Sequence, residues 1–304
     1  MSAVPPDGTL PANVGSWEQP SVGGGGFRLP RTPKGQVLLA FGVLLAVGMV
    51  GEASWSAVFR QVATAVGVAC LLDLVLGRLA TGRWQLPSSA LLTGLIVAFV
   101  LDSGTPVWVT AATAGSAIAS KYLLRNGRGE HLFNPAAFAL ACSGLVLGAS
   151  QSWWGALGNL PVAWTVLLVA AGLLVIDRLN KLPLVFAFLG TYFALFVAVS
   201  FVDATAVAEM FREPFVQAAV FLAFFMLTDP PTSPNVYQDQ VTVGVLTATV
   251  ACLAQLIGIG QVYLLLGVLT GNGWLALRRR RRRARALERS SLTSDEAHLV
   301  RSSA

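Results

Sequence analysis

The sequence predicts an all-α integral membrane protein of about ten transmembrane helices, arranged as two inverted five-helix repeats. Composition is the first observation: 55% of the 304 residues are hydrophobic and 12% are charged, whereas about 25% are charged in an ordinary soluble domain. The second is a series of apolar stretches, and the third is a spacing of these stretches that recurs in the second half. This composition excludes a soluble enzyme, a nucleic-acid-binding domain and a disordered protein.

The chain divides into two tails and one membrane domain. Residues 1–34 carry many proline and glycine residues and no apolar run, which predicts a disordered cytoplasmic tail. The membrane domain covers 35–277, and residues 278–304 are expected to form a basic, disordered cytoplasmic tail. Several apolar stretches fall short of the roughly 20 residues that cross a bilayer, so some must be half-spans or be extended by their flanks. The ten stretches are 36–51, 57–77, 88–101, 107–124, 134–149, 161–176, 182–202, 215–228, 241–257 and 261–277.

Positive charge orients the domain. If the N-terminus is cytoplasmic, every Lys and Arg except Arg60 and Arg212 falls on the cytoplasmic side of the spans. An even number of spans then also places the C-terminus there, in a bacterial-type plasma membrane. The run from Arg278 to Arg283 is interpreted as a topology anchor on anionic lipid rather than as a nucleic-acid contact.

The two halves, about 35–150 and 161–277, resemble each other in span spacing. In each half the third span is short and ends in an acidic, proline-bearing turn, at 101–106 and at 227–234. Five spans per half is an odd number, so the halves must have opposite orientations in the membrane. Inverted repeats with interrupted segments at matching positions point to a site between the halves.

Three acidic residues are candidates for an ion or solute path. Asp102 and Asp229 lie in the two turns, where a carboxylate could line a path or simply cap turn amides. Asp73 lies inside the second span, where an ionisable residue is a functional candidate. A carboxylate reaching the interface near Arg78 is the alternative interpretation of Asp73.

The connection before the fifth span is a candidate ligand site. Asn134 is a favoured N-cap and Pro135 a favoured first helical residue, so a helix begins here with its positive end towards the cytoplasm. Arg128 lies just upstream, and Phe133 could stack on a ring. These residues would suit an anion or a polar heterocycle, although a basic loop before a well-capped helix explains them equally.

Other chemistries find little support. The histidines, His131 and His298, lie in a loop and a tail, and Cys70, Cys142 and Cys252 stand singly, so no metal site is predicted. Aromatic residues near span ends predict an interfacial belt made of Trp55, Trp108, Trp153, Trp154, Tyr122 and Trp274.

Two motifs resemble a known family. They are Phe133-Asn134-Pro135-Ala136 and Thr228-Asp229-Pro230, accompanied by Leu92-Thr93-Gly94, Pro106 and Lys121. With them, residues 35–280 resemble the RnfD protein of the Rnf electron-transport complex and the NqrB protein of the sodium-translocating NADH:quinone reductase. The resemblance implies a fold similar to that of urea transporters and a non-autonomous subunit of a redox-driven ion pump, working with other membrane subunits.

The resemblance also implies a flavin. In the family, the asparagine-proline stretch borders a non-covalent flavin on the cytoplasmic side, which would assign Asn134, and more loosely Phe133 and Pro135, to riboflavin or FMN. Arg128 and the turn at Thr228 and Asp229 are further candidate contacts. The family's covalent FMN threonine has no counterpart, because residues 147–155 contain no threonine. Covalent FMN is therefore not expected, and the chain is similar to divergent members found in enediyne gene clusters.

Three functional hypotheses follow. The first is an electron-transfer subunit that binds flavin non-covalently and in which electron transfer could be coupled to ion movement. The second is a transporter or channel for a small solute or product, in specialised-metabolite biosynthesis, with Asp73, Asp102 and Asp229 on its path. The third is a structural membrane anchor.

Overall fold

The computed structural model describes residues 33–125 and 131–302, and within them it is helical with no β-strand. The predicted N-terminal tail, apart from Pro33 and Lys34, lies outside the described residues, as does Arg128. The helices are α1 Pro33–Gly51, α2 Trp55–Thr81, α3 Ser88–Val100, α4 Val107–Leu123, α5 Pro135–Leu147, α6 Thr165–Leu179, α7 Leu182–Ser200, α8 Ala204–Val207, α9 Phe215–Phe221, α10 Tyr237–Leu256 and α11 Tyr263–Ser302.

Local sequence explains where these helices begin and end. Ser54 caps α2 by accepting a hydrogen bond from the Ala57 amide at 3.4 Å, and Gly82 ends the helix with φ of 71°. Asn134 caps α5, and Gly148, with φ of 63°, ends it. Both glycines adopt the left-handed conformation that side chains disfavour.

The helices confirm a multi-pass membrane protein. Four of those the structure describes are long and apolar enough to cross a bilayer: Lys34–Gly51 within α1, Trp55–Thr81, Leu182–Ser200 and Tyr237–Leu256. Shorter apolar helices lie between them, and α9 continues as a π-helical segment, Leu222–Met226. Two of the shorter helices are deeply buried, since α3 is buried from Thr93 to its end and α9 from Gln217 to its end.

Helix packing joins the two halves of the chain. In the first half α2 packs on α3 and α4, and α4 packs on α5. In the second half α10 packs on α7 and α11. Contacts of α1 with α6 and of α5 with α11 connect the halves.

An aromatic cluster fills the centre of the bundle where these halves meet. The ring centroid of Phe225 lies 5.1 Å from that of Phe41 and 5.1 Å from that of Phe221, and those of Phe99 and Trp154 are 5.2 Å apart. Its members, all buried, are Phe41, Phe99, Trp153, Trp154, Phe221 and Phe225.

The assignment of Trp153 and Trp154 to an interfacial belt is therefore wrong. The segment after α5 folds back onto the end of α3, so that Trp154 Nε1 donates to the Ala98 carbonyl at 2.7 Å and the Trp153 amide donates to the Val100 carbonyl at 3.1 Å. Buried indole groups with satisfied donors are stable in a core. Trp55 and Trp108, by contrast, are each 64% exposed.

The basic C-terminal stretch also differs from expectation, because α11 continues through it to Ser302. Arg, Ala, Leu and Glu, which dominate its first part, are strong helix formers. The first arginines are also held by the protein, as Arg278 Nε lies 2.8 Å and Arg282 Nη1 3.0 Å from the Asp239 carboxylate. Residues 278–302 are thus helical where the sequence suggested disorder.

Candidate functional site

A cavity of about 390 Å³ opens at the end of the bundle where the basic residues gather. We call this end the basic end and this space the motif cavity, because both sequence motifs contribute to its wall. Asn134 and Pro135 reach it from the start of α5, and Thr228 and Asp229 from the turn after the π-helical segment. Pockets of a few hundred cubic ångströms with apolar walls and a few polar groups are typical of cofactor sites.

Asn134 is a buried junction between three segments. Its Oδ1 accepts from the Ala137 amide at 3.0 Å, and its Nδ2 donates to the Met226 carbonyl at 3.1 Å. Its backbone amide donates to Asn272 Oδ1 at 2.9 Å. Because the side chain is 3% exposed and already bonded at both ends, Asn134 shapes the cavity wall as well as lining it.

The acid in the motif cavity is Asp229. Its Oδ2 accepts from the Thr232 hydroxyl at 2.9 Å, and its carbonyl accepts from the amides of Thr232 and Ser233. Burial of the carboxyl group raises its pKa to about 6, against the opposing effects of Thr232, Lys181 and Lys34. The carboxyl group therefore changes charge close to neutral pH.

Three potential cations share the cavity wall with Asp229, namely Lys34, Lys121 and His131. Lys121 Nζ donates to Asp73 Oδ1 at 2.7 Å, and Tyr122 donates to the same oxygen at 2.9 Å. Asp73 is thus held behind Lys121 and does not itself line the cavity. The pKa of His131 is lowered, mainly by burial and then by Arg125 and Lys121, which favours the neutral ring.

Two helix N-termini also face the motif cavity. Ser89 and Thr93 line it from the first turns of α3, and Pro135 and Ala136 line it from the first turn of α5. The N-terminal end of a helix carries a partial positive charge and free amide groups, which favour electron-rich ligands. The residues present therefore fit a polar or anionic heterocycle that also needs apolar walls.

A second, larger cavity of about 660 Å³ lies beside the first, and His131 lines both. We call it the arginine cavity, since Arg279, Arg280 and Arg283 of α11 contribute to its wall. Phe133 lies here, whereas its neighbour Asn134 lines the motif cavity. The structure therefore separates Phe133 from the other predicted contacts, because adjacent residues at a helix start point in different directions.

Asp102 is far from both cavities in the fold. It lies after α3, where its Oδ1 accepts from the Gly104 amide at 2.8 Å and its carbonyl accepts from Gln61 Nε2 at 2.8 Å. The structure thus brings Asp229 to the motif cavity but not Asp73 or Asp102. The turn-capping interpretation describes the observed contacts of Asp102.

Sequence reasoning missed two residues that build the site. Lys181, 2% exposed, donates to the Pro234 carbonyl at 2.6 Å and to Asn235 Oδ1 at 2.7 Å, and burial lowers its pKa to about 8. Asn272 donates to the Thr232 carbonyl at 3.1 Å while accepting from Asn134. An asparagine between two glycines inside the last apolar stretch was the available signal, since polar residues in such stretches seldom lack a role.

Comparison with known proteins identifies the class. The NQR2, RnfD, RnfE family matches the chain over residues 31–160 and 144–280. The protein belongs to this family of membrane subunits, which confirms the resemblance carried by the two motifs. No curated protein matches the chain.

Proposed function

We propose that this protein is a membrane subunit of an Rnf- or Nqr-like electron-transport complex and that it binds flavin non-covalently in the motif cavity. One observation carries the proposal: residues 134–135 and 228–229, distant in sequence, line the same cavity of about 390 Å³. Riboflavin or FMN would bring one- and two-electron redox chemistry to this position. Such a subunit needs partner subunits to supply and remove the electrons, with ion movement as a coupled step.

The surroundings of the cavity support a flavin. The apolar walls contributed by Val37, Leu92 and Ile96 suit a planar ring system, and Thr228 and the α5 N-terminus offer polar contacts. Lys34 and Lys121 favour an electron-rich group near the cavity mouth. In this family, with its redox-active subunits, these features favour flavin over a transported solute.

The proposal includes an inverted arrangement of two five-helix repeats, with the basic end in the cytoplasm. Matching helix pairs support it, because α2 packs on α4 and α4 on α5, while α7 packs on α10 and α10 on α11. The short third helices, α3 and α9, also meet through Phe99 and Phe221, whose ring centroids are 6.1 Å apart. In this arrangement the motif cavity lies where the halves join.

Transport of a small solute is the weaker candidate. Phe41 and Phe225 line the motif cavity and belong to the aromatic cluster, which continues to Trp153 and Trp154 near the opposite end. A solute path would require these packed rings to separate. Electron transfer needs no open path, so the close packing of these buried rings is compatible with it.

The test is a spectrum combined with a cavity-filling variant. We expect the protein purified in mild detergent to show flavin absorbance, and denaturation to release the flavin because attachment is not covalent. Val37→Trp should remove most of the flavin, since Val37 lines the cavity. Val43→Trp, on the same helix at a position 39% exposed, is the matched control and should retain it.

Two results would contradict the proposal. One is a folded wild-type protein that shows no flavin absorbance even after it has been incubated with riboflavin or FMN. The other is full flavin occupancy in Val37→Trp, which would place the flavin elsewhere. Thermal unfolding of both tryptophan variants shows whether a loss of flavin reflects a loss of fold.

A further inference from the structure

The arginine cavity has a composition that the proposed flavin site does not explain. Its wall combines Arg279, Arg280 and Arg283 with the apolar side chains of Phe133 and Leu277. No carboxylate belongs to that wall among the residues the structure describes. An occupant would therefore need negative charge and apolar surface together.

The arginines of the run differ in their contacts, and Arg279 both contacts the protein and lines the cavity. Arg278 and Arg282, four residues apart, both contact Asp239. Arg279 donates to the carbonyls of Pro231 and Ser233, each at 3.1 Å. Arg278 and Arg282 therefore attach α11 to the first turn of α10, and Arg279 attaches it to the segment between α9 and α10.

Arg280 and Arg283 lie with Arg279 in the cavity wall. They lie three residues apart and therefore on one face of α11, and both contribute to the cavity wall. Arg281 and Arg285 belong to the same run and are exposed, as Arg280 is, but they do not line the cavity. The run is thus not a uniform charged surface, because the fold selects which arginines face the cavity.

Apolar surface continues from the cavity onto the outside of the bundle. Leu277, in the cavity wall, is 57% exposed, one residue before the arginine run begins. An apolar side chain beside arginines at the end of a membrane helix matches the boundary between acyl chains and lipid headgroups. This position favours a lipid over a soluble anion.

We propose that the arginine cavity binds one anionic phospholipid of the membrane leaflet at the basic end. Its phosphate lies against Arg280 and Arg283, and its acyl chains pass along Phe133 and Leu277. The lipid would fix the position of α11 beside the segment 131–134, which forms the boundary between the two cavities. This inference does not depend on flavin, since the motif cavity is a separate space.

The test compares two double variants that remove the same charge. Arg280→Gln with Arg283→Gln changes the cavity wall, and Arg281→Gln with Arg285→Gln is the control. Affinity for phosphatidylglycerol in mixed micelles is measured by thermal stabilisation, and lipid retained through purification is measured by mass spectrometry. Diffuse attraction predicts about a fivefold loss per arginine in both variants. A built site predicts about a further tenfold loss in the cavity variant alone.

A third variant keeps every charge. Ala276→Trp fills the cavity wall and should lower retained phosphatidylglycerol without changing attraction to the arginine run. Equal losses in the two arginine variants, or full retention in Ala276→Trp, would overturn the site. Equal stabilisation by phosphatidylcholine would also overturn it, and stabilisation by inorganic phosphate or glycerol phosphate as strong as that by the lipid would identify a soluble anion instead.

Discussion

Asn134 shows at the scale of one residue how binding and folding are combined in this protein. Its side-chain oxygen caps α5, and its amide bonds the Met226 carbonyl across the cavity wall. Replacing it with alanine would remove a cap, worth about 1 kcal/mol. It would also leave the Met226 carbonyl with only a long hydrogen bond, at 3.5 Å, from the Asp229 amide. A loss of flavin in Asn134→Ala would therefore also report a damaged fold, which is why Val37→Trp is the sharper probe of the cavity.

Asp229 gives a prediction at the same scale. The pKa of Asp229 in the folded protein is about 6, above the usual value of 3.8. Between pH 4 and 6 the folded state therefore binds this proton more tightly than the unfolded state does. Stability is then lost as pH rises through this window, by up to about 3 kcal/mol. Asp229→Asn removes this loss while its side-chain oxygen can still accept from Thr232. We expect a higher thermal midpoint than wild type at pH 7 and a shrinking difference towards pH 4.

Asp102→Asn is the control for that prediction. It removes one carboxylate from the turn after α3, where an asparagine oxygen can also accept from the Gly104 amide. Thermal midpoints of all three proteins would be measured between pH 4 and 8 in one detergent. An unchanged midpoint of Asp229→Asn at pH 7 would show that the buried carboxylate costs the fold nothing.

Close helix contacts determine the architecture at the scale of elements. A Cβ atom added at Gly94 of α3 would lie 2.8 Å from Val66 Cα, and one added at Gly244 of α10 would lie 2.8 Å from the Leu184 carbonyl oxygen. Small residues let membrane helices approach closely, because van der Waals packing drives their association. These glycines hold α3 against α2 and α10 against α7.

Alanine at either glycine should therefore push two helices apart. We expect Gly94→Ala and Gly244→Ala to lower stability by about 1 to 3 kcal/mol, as other overpacked cores do. Gly67 of α2 and Gly190 of α7 have no atom near an added Cβ, so alanine there should be neutral or stabilise the helix by up to about 1 kcal/mol. Thermal unfolding compares the four variants, and equal midpoints would refute the close-packing argument.

The π-helical segment is a second feature at the scale of helices, and it positions the turn that lines the motif cavity. The widened turn at Leu222–Met226 lies directly before the Thr228-Asp229 turn, and it presents the Met226 carbonyl to Asn134. π-Helical segments occur frequently at functional sites. The sequence does not reveal this segment, because the residues of a π-helical turn can be as apolar as those of the α-helix around it.

At the scale of the whole molecule, charge distribution predicts orientation. Lys34, Lys121, Lys181 and the first arginines of α11 lie together at the basic end, as their shared contacts and cavities show. From the positive-inside rule we expect this end to lie in the cytoplasm.

Reporter fusions test this orientation. Green fluorescent protein fused after Ala304 should fluoresce, because it folds in the cytoplasm, and alkaline phosphatase at that position should be inactive. Alkaline phosphatase inserted after Val202, between α7 and α8, should be active. The reverse pattern would invert the topology and place the motif cavity on the outer side.

Apolar stretches and turn chemistry were sufficient for the positions of the apolar helices and for the Asn134 cap, but not for the continuation of α11 beyond residue 277. They could not show that Phe133 and Asn134 face different cavities, or that the Trp153-Trp154 segment folds into the core. Those outcomes depend on the angle at which helices cross and on long-range hydrogen bonds, such as Trp154 to Ala98. Asp73 is similar, because only tertiary packing brings Lys121 within 2.7 Å of its carboxylate.

By itself, the sequence determined that this chain lies in a membrane, that its apolar segments are helical, and to which family it belongs. These properties are local or compositional, since burial in lipid and satisfaction of backbone hydrogen bonds act on each segment separately. Only the tertiary structure decided which residues share a cavity. Segments about a hundred residues apart come together only through the packing of the helices between them. The order of apolar and polar residues along the chain does not predict that packing.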